Sequence, residues 1–204
     1  MTAAAPARAE PDGRVRCAWI DESRLAPADF VLYRDYHDTE WGQPLRGAQA
    51  LFERVSLEAF QSGLSWLIIL RKRDNFRRAF HGFDIDRVAR YTERDVTRLM
   101  ADTGIVRNRA KVEATIANAR AAVALADDGV DLGELLWSFA PPPRPRPADF
   151  DSIPAITPES TAMAKELKRR GFRFVGPTTA YALMQATGMV DDHTADCWVP
   201  APRR

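Results

Sequence analysis

Leu99-Met-Ala-Asp-Thr-Gly104-Ile105-Val-Arg107-Asn108-Arg109-Ala-Lys111 reads as the end of one helix, a tight turn and the start of another. Thr92 followed by Asp95 caps the first helix. The Ala-rich run from Asn108 to Asp127 forms the second. Gly104 is the residue that lets the chain turn. The backbone amides at a helix N-terminus bind phosphate oxygens, and Arg107, Arg109 and Lys111 bring positive charge to that start. Cations there oppose the helix dipole, so the pattern predicts an anion at the turn. An ordinary helix connection with solvated charges has the same pattern.

Outward from this hairpin, apolar residues keep a helical period, and neither an internal repeat nor a long alternating pattern interrupts them. Helices are predicted from Gly47 to Gly63 and from Ser65 to Phe80. Another opens at the Thr157-Pro158 cap and stops at Gly171, and a last one runs from Gly176 to Thr187 before Gly188. The fold class is all-α. The run from Pro141 to Pro147 lacks the amide donors a helix needs, and is predicted to be an exposed linker between a larger front part and a smaller back part. Residues 1–14, Ala- and Pro-rich at their start, are predicted to be a disordered tail without the apolar core of a signal peptide. Residues 15–200 form the ordered unit.

The formal net charge of +1 over 204 residues neither demands nor forbids nucleic acid, since a local basic face can exist on a neutral chain. No apolar run reaches the length of a membrane span. A cytoplasmic location and a monomeric state are expected. In that reducing compartment Cys17 and Cys197 stay unpaired. His37 follows Cys17, and His193 precedes Cys197 by four residues. Two thiolates and two imidazoles can close a structural tetrahedral zinc site and so clip the chain ends together. Spacing alone fits two unrelated buried cysteines and two surface histidines equally well. His81, at a helix end, reads as a surface or capping residue.

Glu58 lies seven residues after Leu51 and three after Val55, on the apolar stripe of its helix. Gln61, Ser62 and Ser65 follow at helical spacing, then Trp66. A carboxylate there needs partners. It is either a buried Glu paired to an arginine or the polar floor of an apolar pocket. Trp19, Tyr33, Tyr36 and Trp41 cluster nearby in sequence. They are either core or walls that stack on a planar ligand, particularly a cationic one.

Five blocks together resemble the 3-methyladenine DNA glycosylase I family: Tyr33-Arg-Asp-Tyr36-His37-Asp-Thr-Glu-Trp41-Gly42, Leu57-Glu58-Ala-Phe-Gln61-Ser-Gly63-Leu64-Ser65-Trp66, Gly104 to Lys111, Arg170 to Gly176, and Gly188 to Cys197. The resemblance runs from about residue 15 to about residue 200. It implies a helix-hairpin-helix glycosylase fold with one structural zinc on Cys17, His37, His193 and Cys197. It further implies a base-reading carboxylate at Glu58, pocket aromatics at Tyr36 and Trp66, and lesser pocket roles for Trp19, Tyr33 and Gln61. Gly104, Ile105, Arg107, Arg109 and Lys111 would contact DNA. The sequence departs from the pattern at Ile105-Val106, where many such hairpins carry a second glycine, and at Ala110, where the family often has glycine.

The implied substrate is double-stranded DNA with alkylated purines, and the product free 3-methyladenine. The base must leave the stack. Its methylation makes it cationic, so it departs neutral without protonation. The resemblance implies that the sugar-side Asp of other helix-hairpin-helix glycosylases is absent, and no lysine here stands out for a Schiff base. A monofunctional hydrolase without strand cleavage is expected. The rival readings are a non-catalytic protein that binds alkylated DNA, a glycosylase for another base, and a zinc-clipped helical interaction domain.

Overall fold

The computed structural model describes residues 12–202. Among them lie nine α-helices, three short 3-10 turns and no β-strand. The helices are α1 (Pro27–Thr39), α2 (Ala48–Gln61), α3 (Trp66–Ala79), α4 (Ile85–Ala89), α5 (Glu93–Ala101), α6 (Arg109–Asp127), α7 (Leu132–Trp137), α8 (Pro158–Arg169) and α9 (Pro177–Ala186). Among the described residues no helix is long and apolar enough to cross a membrane.

Helix α2 is the centre of the packing. Leu51, Phe52, Leu57 and Phe60 have no solvent exposure, and α9, α3, α7 and α6 pack around the helix. Each such side chain contributes about 1.5–3 kcal/mol through burial. The helix ends at Gln61 because Ser62 leaves helical geometry (ψ 117) and Gly63 turns left-handed (φ 78). Trp66 opens α3 directly afterwards. The predicted capping signals act as read. Thr92 and Asp95 form a reciprocal box at α5, and Thr157 accepts from the Ser160 amide while Pro158 opens α8.

The hairpin is α5, a turn and α6. Asn108 caps α6 by accepting from the Lys111 amide at 3.2 Å. Gly104 serves a different purpose from the one predicted. It is not left-handed; a Cβ there would lie 2.9 Å from Asp102 Oδ1 and 3.1 Å from the Asn75 amide. The glycine admits a close approach rather than an unusual backbone.

Two boundaries differ from expectation. Residues 1–11 of the predicted tail lie outside the described residues, but Asp12 accepts from Arg16 and Arg14 lies 3.8 Å over the Trp198 ring. Two charged side chains of the predicted tail, Asp12 and Arg14, therefore make contacts with the rest of the chain. Residues 141–147 are non-helical as predicted, yet they are a fastened strap rather than a loose linker. Arg144 donates to Tyr181 Oη at 2.6 Å and Asp192 at 2.8 Å, and Arg146 to Asp191 and the Val199 carbonyl, both at 2.8 Å. The strap's arginines hold it to the C-terminal segment.

Candidate active site

Helices α1, α2, α3 and α9, with the segment after the strap, enclose a cleft of about 420 Å³. All six pocket residues expected from sequence line it: Trp19, Tyr33, Tyr36, Glu58, Gln61 and Trp66. Tyr36 and Trp66 lie 5.3 Å apart between ring centroids, too close to admit a ring between them. They make one continuous wall rather than the two plates of a sandwich. Trp19 packs edge-on against Tyr33 at 4.8 Å and Trp41 at 5.2 Å, extending that wall.

Glu58 sits in the middle of α2 and is 4% exposed. Among the described residues its carboxylate has no hydrogen-bond partner, and the nearest cation is Arg54, one turn earlier on the same helix. Burial pushes the Glu58 pKa up to about 7, and the Arg54 charge opposes that rise. The indole N–H of Trp66 is also buried without a partner. Buried polar atoms in native proteins are nearly always paired. An unpaired acceptor and an unpaired donor on a single aromatic cleft mark a place that is completed by a ligand.

The opposite wall was not predicted from sequence. Thr178, Tyr181, Ala182 and Gln185 of α9 face the cleft, as do Ile153 and Pro154 after the strap. Asp192, fully buried at its side chain, accepts from Tyr181 Oη at 2.6 Å, Gln185 Nε2 at 2.9 Å and Arg144. The signal was present: Thr178, Tyr181 and Gln185 recur at spacings of three and four on an otherwise apolar helix.

The hairpin corrects the expected basic cluster. Lys111 points inward: its ammonium donates to the carbonyls of Phe60 at 2.8 Å and Ser62 at 2.5 Å, and burial pushes its pKa down. It caps the C-terminal end of α2 with two of its three N–H donors. Arg109 is exposed but shared between Glu93 and Glu113. Arg107 is exposed and, among the described residues, has no carboxylate in ion-pair reach. Ile105, by contrast, is buried and anchors the turn. Lys72 donates to the Thr103 and Gly104 carbonyls. His81 is part-buried against Tyr91 Oη.

Next to the cleft, Cys17, His37, His193 and Cys197 converge, all buried, with their ligand atoms within 4.8 Å of one another. The Sγ-to-nitrogen distances are 3.4 Å (Cys197 to His193) and 3.6 Å (Cys17 to His193, Cys197 to His37). A tetrahedral zinc with ordinary bond lengths has such edges of about 3.5 Å. The outer nitrogens are fixed as metal-bound histidines require. His37 Nδ1 meets Asp38 at 2.8 Å, and His193 Nε2 meets the Trp41 carbonyl at 3.0 Å. Hydrogen bonding to Cys197, and then burial, push the Cys17 thiol up, while the same bond pulls Cys197 down. The donor set, its spacing and its outer bonds all fit a closed metal site.

The sequence profile of the methyladenine glycosylase family matches residues 28–200. A DNA-3-methyladenine glycosylase of Haemophilus influenzae is 44% identical over 184 residues, covering 89% of this chain and 96% of that protein. A crystal structure of a 3-methyladenine DNA glycosylase I superposes with a TM-score of 0.84 at 46% identity, covering 90% and 98% of the two chains. The Staphylococcus aureus 3-methyladenine DNA glycosylase I, solved to explain 3-methyladenine recognition, superposes with a TM-score of 0.84 at 33% identity over 93% and 97%.

Proposed function

Because this chain belongs to the methyladenine glycosylase family and is a DNA-3-methyladenine glycosylase of base excision repair, we propose that the cleft between α1, α2, α3 and α9 is where the base is read, and that Glu58 reads it. The observation that carries this is a buried carboxylate without a partner inside an aromatic cleft. The substrate is double-stranded DNA with an alkylated purine, whose base is flipped out before cleavage.

A base methylated at the three-position and still attached to its sugar is a cation. A desolvated carboxylate favours a cation over the neutral bases that surround it. Glu58 then accepts a hydrogen bond from the exocyclic amine of adenine, a group that guanine replaces by an acceptor. The Tyr36–Trp66 wall offers its rings to the same positive charge. Leaving the carboxylate unpaired against guanine costs about 1–3 kcal/mol. The base leaves as a neutral molecule, so the chain's task is to bind and orient rather than to donate a proton. None of the four lysines lines the cleft, and Lys111 and Lys72 are held on carbonyls. This reading takes the reaction as hydrolysis without strand cleavage by a monomeric chain.

We further propose that the metal on Cys17, His37, His193 and Cys197 is zinc. Four protein ligands fill a tetrahedral shell, so the ion supplies a cross-link between the two ends of the described chain. Elemental analysis of protein purified without added metal should give one zinc per chain.

The deciding experiment is multiple-turnover release of free 3-methyladenine from a methylated duplex, resolved by chromatography, for the unaltered chain and Glu58→Gln. Release by the unaltered chain that falls in Glu58→Gln supports the reading. Equal release by both would remove Glu58 from the reaction. Tight binding without release would make the protein a lesion binder.

A further inference from the structure

Arg54 lies one turn before Glu58 on α2 and is buried, yet it does not line the cleft. It stands behind the aromatic wall. Its Nη1 donates to Tyr36 Oη at 3.2 Å, and its guanidinium carbon lies 5.5 Å from the Tyr36 ring centroid and 5.3 Å from that of Trp66. Its one carboxylate contact is loose, 3.6 Å to Glu40. Glu40 is already gripped by Arg73 at 2.5 and 2.8 Å. A buried arginine is normally tied to its own carboxylate. Here most of the positive charge is left over, among the two rings of the wall and the carboxylate that shares its helix face.

We propose that Arg54 is a positioning residue of the base pocket, locking the Tyr36 ring through its hydroxyl and serving as the counter-charge that Glu58 otherwise lacks. The inference rests on the reading of Glu58 as the base-reading carboxylate. Burial alone drives Glu58 toward the neutral form, and the Arg54 charge acts the other way. The other charged or titratable groups around Glu58 do not replace it. Tyr33 and Tyr36 on α1 are themselves held protonated by burial. Glu40, just after α1, is negative and paired with Arg73 of α3. Lys111 on α6 is committed to the Phe60 and Ser62 carbonyls. Tyr181 on α9 is bonded to Asp192. The fixed orientation of Tyr36 matters in the same way: a phenol whose hydroxyl is tethered from behind presents its ring, rather than its oxygen, to the cleft wall.

The position also sets a limit. A second cation enters this cleft, and Arg54 opposes it through space. That cost is tolerable because Arg54 is set behind the rings, while Glu58 is at the cleft surface. The arrangement thus trades some attraction for the charged base against a carboxylate that gives up its proton more readily than burial alone would allow.

The test compares Arg54→Met, Arg54→Lys and Glu58→Gln by the pH profile of single-turnover base release from a methylated duplex, by affinity for free 3-methyladenine, and by thermal melting. Arg54→Met keeps the length and removes the charge. Its acidic limb should move up by about one pH unit, with release near pH 6.5 down about tenfold and recovering above pH 8. Arg54→Lys should keep the limb, but a point ammonium lacks the fork that reaches Tyr36, so affinity for the free base should fall about threefold. A folded Arg54→Met protein with the unaltered limb overturns the counter-charge role. Arg54→Lys with unaltered affinity overturns the positioning role, and it remains the deciding variant if Arg54→Met does not fold. Glu58→Gln separates the two levels. If its release is unchanged, the reading of Glu58 has failed; if it falls while Arg54→Met is unaltered in limb and affinity, only the role of Arg54 has failed.

Discussion

The Cys/His cluster and the aromatic cleft share one helix: Tyr36 of α1 belongs to the cleft, and His37, the next residue, to the cluster. They treat polar atoms in opposite ways. In the cluster every outer nitrogen and carboxylate is satisfied. Asp38 alone receives His37, two nitrogens of Arg16 and the Trp198 indole. In the cleft, Glu58 accepts no hydrogen bond among the described residues and the Trp66 N–H reaches no acceptor. Saturated bonding makes a site rigid and adds to the fold; unsaturated bonding weakens the fold and reserves affinity for something that arrives later. That difference separates structure from function in two places built from similar residues.

The strongest way to break the comparison is to open the cluster. Cys197→Ala should lose the metal and more than about 3 kcal/mol of stability, read by melting with elemental analysis. Excision should then decline with the folded fraction. A Cys197→Ala protein that melts normally would show that the cluster is not a structural clip.

The cleft should behave in reverse. Burial raises Glu58 from 4.5 to about 7. The folded state therefore holds its proton more tightly, and stability is full below pH 4.5, falls as pH rises, and reaches its minimum above pH 7. Relative to Glu58→Gln, which lacks this titration, the unaltered protein should lose up to about 3 kcal/mol between pH 4.5 and pH 8. Denaturant titrations at the two pH values measure it. A constant difference would mean that Glu58 is satisfied after all.

At the same position excision should fall on the order of 10- to 100-fold, because a neutral acceptor is about half as strong as a charged one and the base already leaves readily. Initial rates of base release from the methylated duplex read it, beside melting at the same pH. A variant that is folded, stabilised at pH 8 and as active as the unaltered chain would remove the functional half of the comparison.

Two smaller effects divide the hairpin along the same line. Lys111→Met should cost about 1–3 kcal/mol, since two carbonyls at the end of α2 lose a charged donor, and should leave the salt dependence of DNA binding unchanged. Arg107→Ala should leave melting unchanged and reduce the salt slope of binding by about one. A binding titration across salt concentrations, with melting curves, separates the two. The reverse pattern would return Lys111 to the DNA face.

Much of this was legible in the chain. Caps such as Thr92 with Asp95 and Thr157 with Pro158 act within four residues, so sequence reports them directly. Glu58 was legible because a carboxylate on an apolar stripe breaks a local rule. Lys111 was not, because a lysine at a helix start looks solvated until the end of another helix is brought beneath it, 51 residues away in sequence. The strap was legible as exposed and non-helical, but its fastening was not, for a related reason. Proline content excludes a helix but says nothing of Asp191 and Asp192, which its arginines find 45 and 48 residues later. The α9 wall was missed because Thr178 and Gln185 look like ordinary surface residues until the opposing α1 and α2 are in place.

The span of the clip has a consequence for the protein's birth. Cys197 joins His37 across 160 residues, and Trp19, a cleft wall, rests on that same His37. On a ribosome adding about 5–20 residues each second, the first two ligands emerge on the order of 10 s before their partners. Throughout that interval the wall carrying Trp19, Tyr33 and Tyr36 is held only by earlier elements, such as Arg54 on Tyr36 and Arg73 on Glu40. The α9 side of the cleft and the Cys197 side of the cluster are therefore the last parts of the two sites to be made.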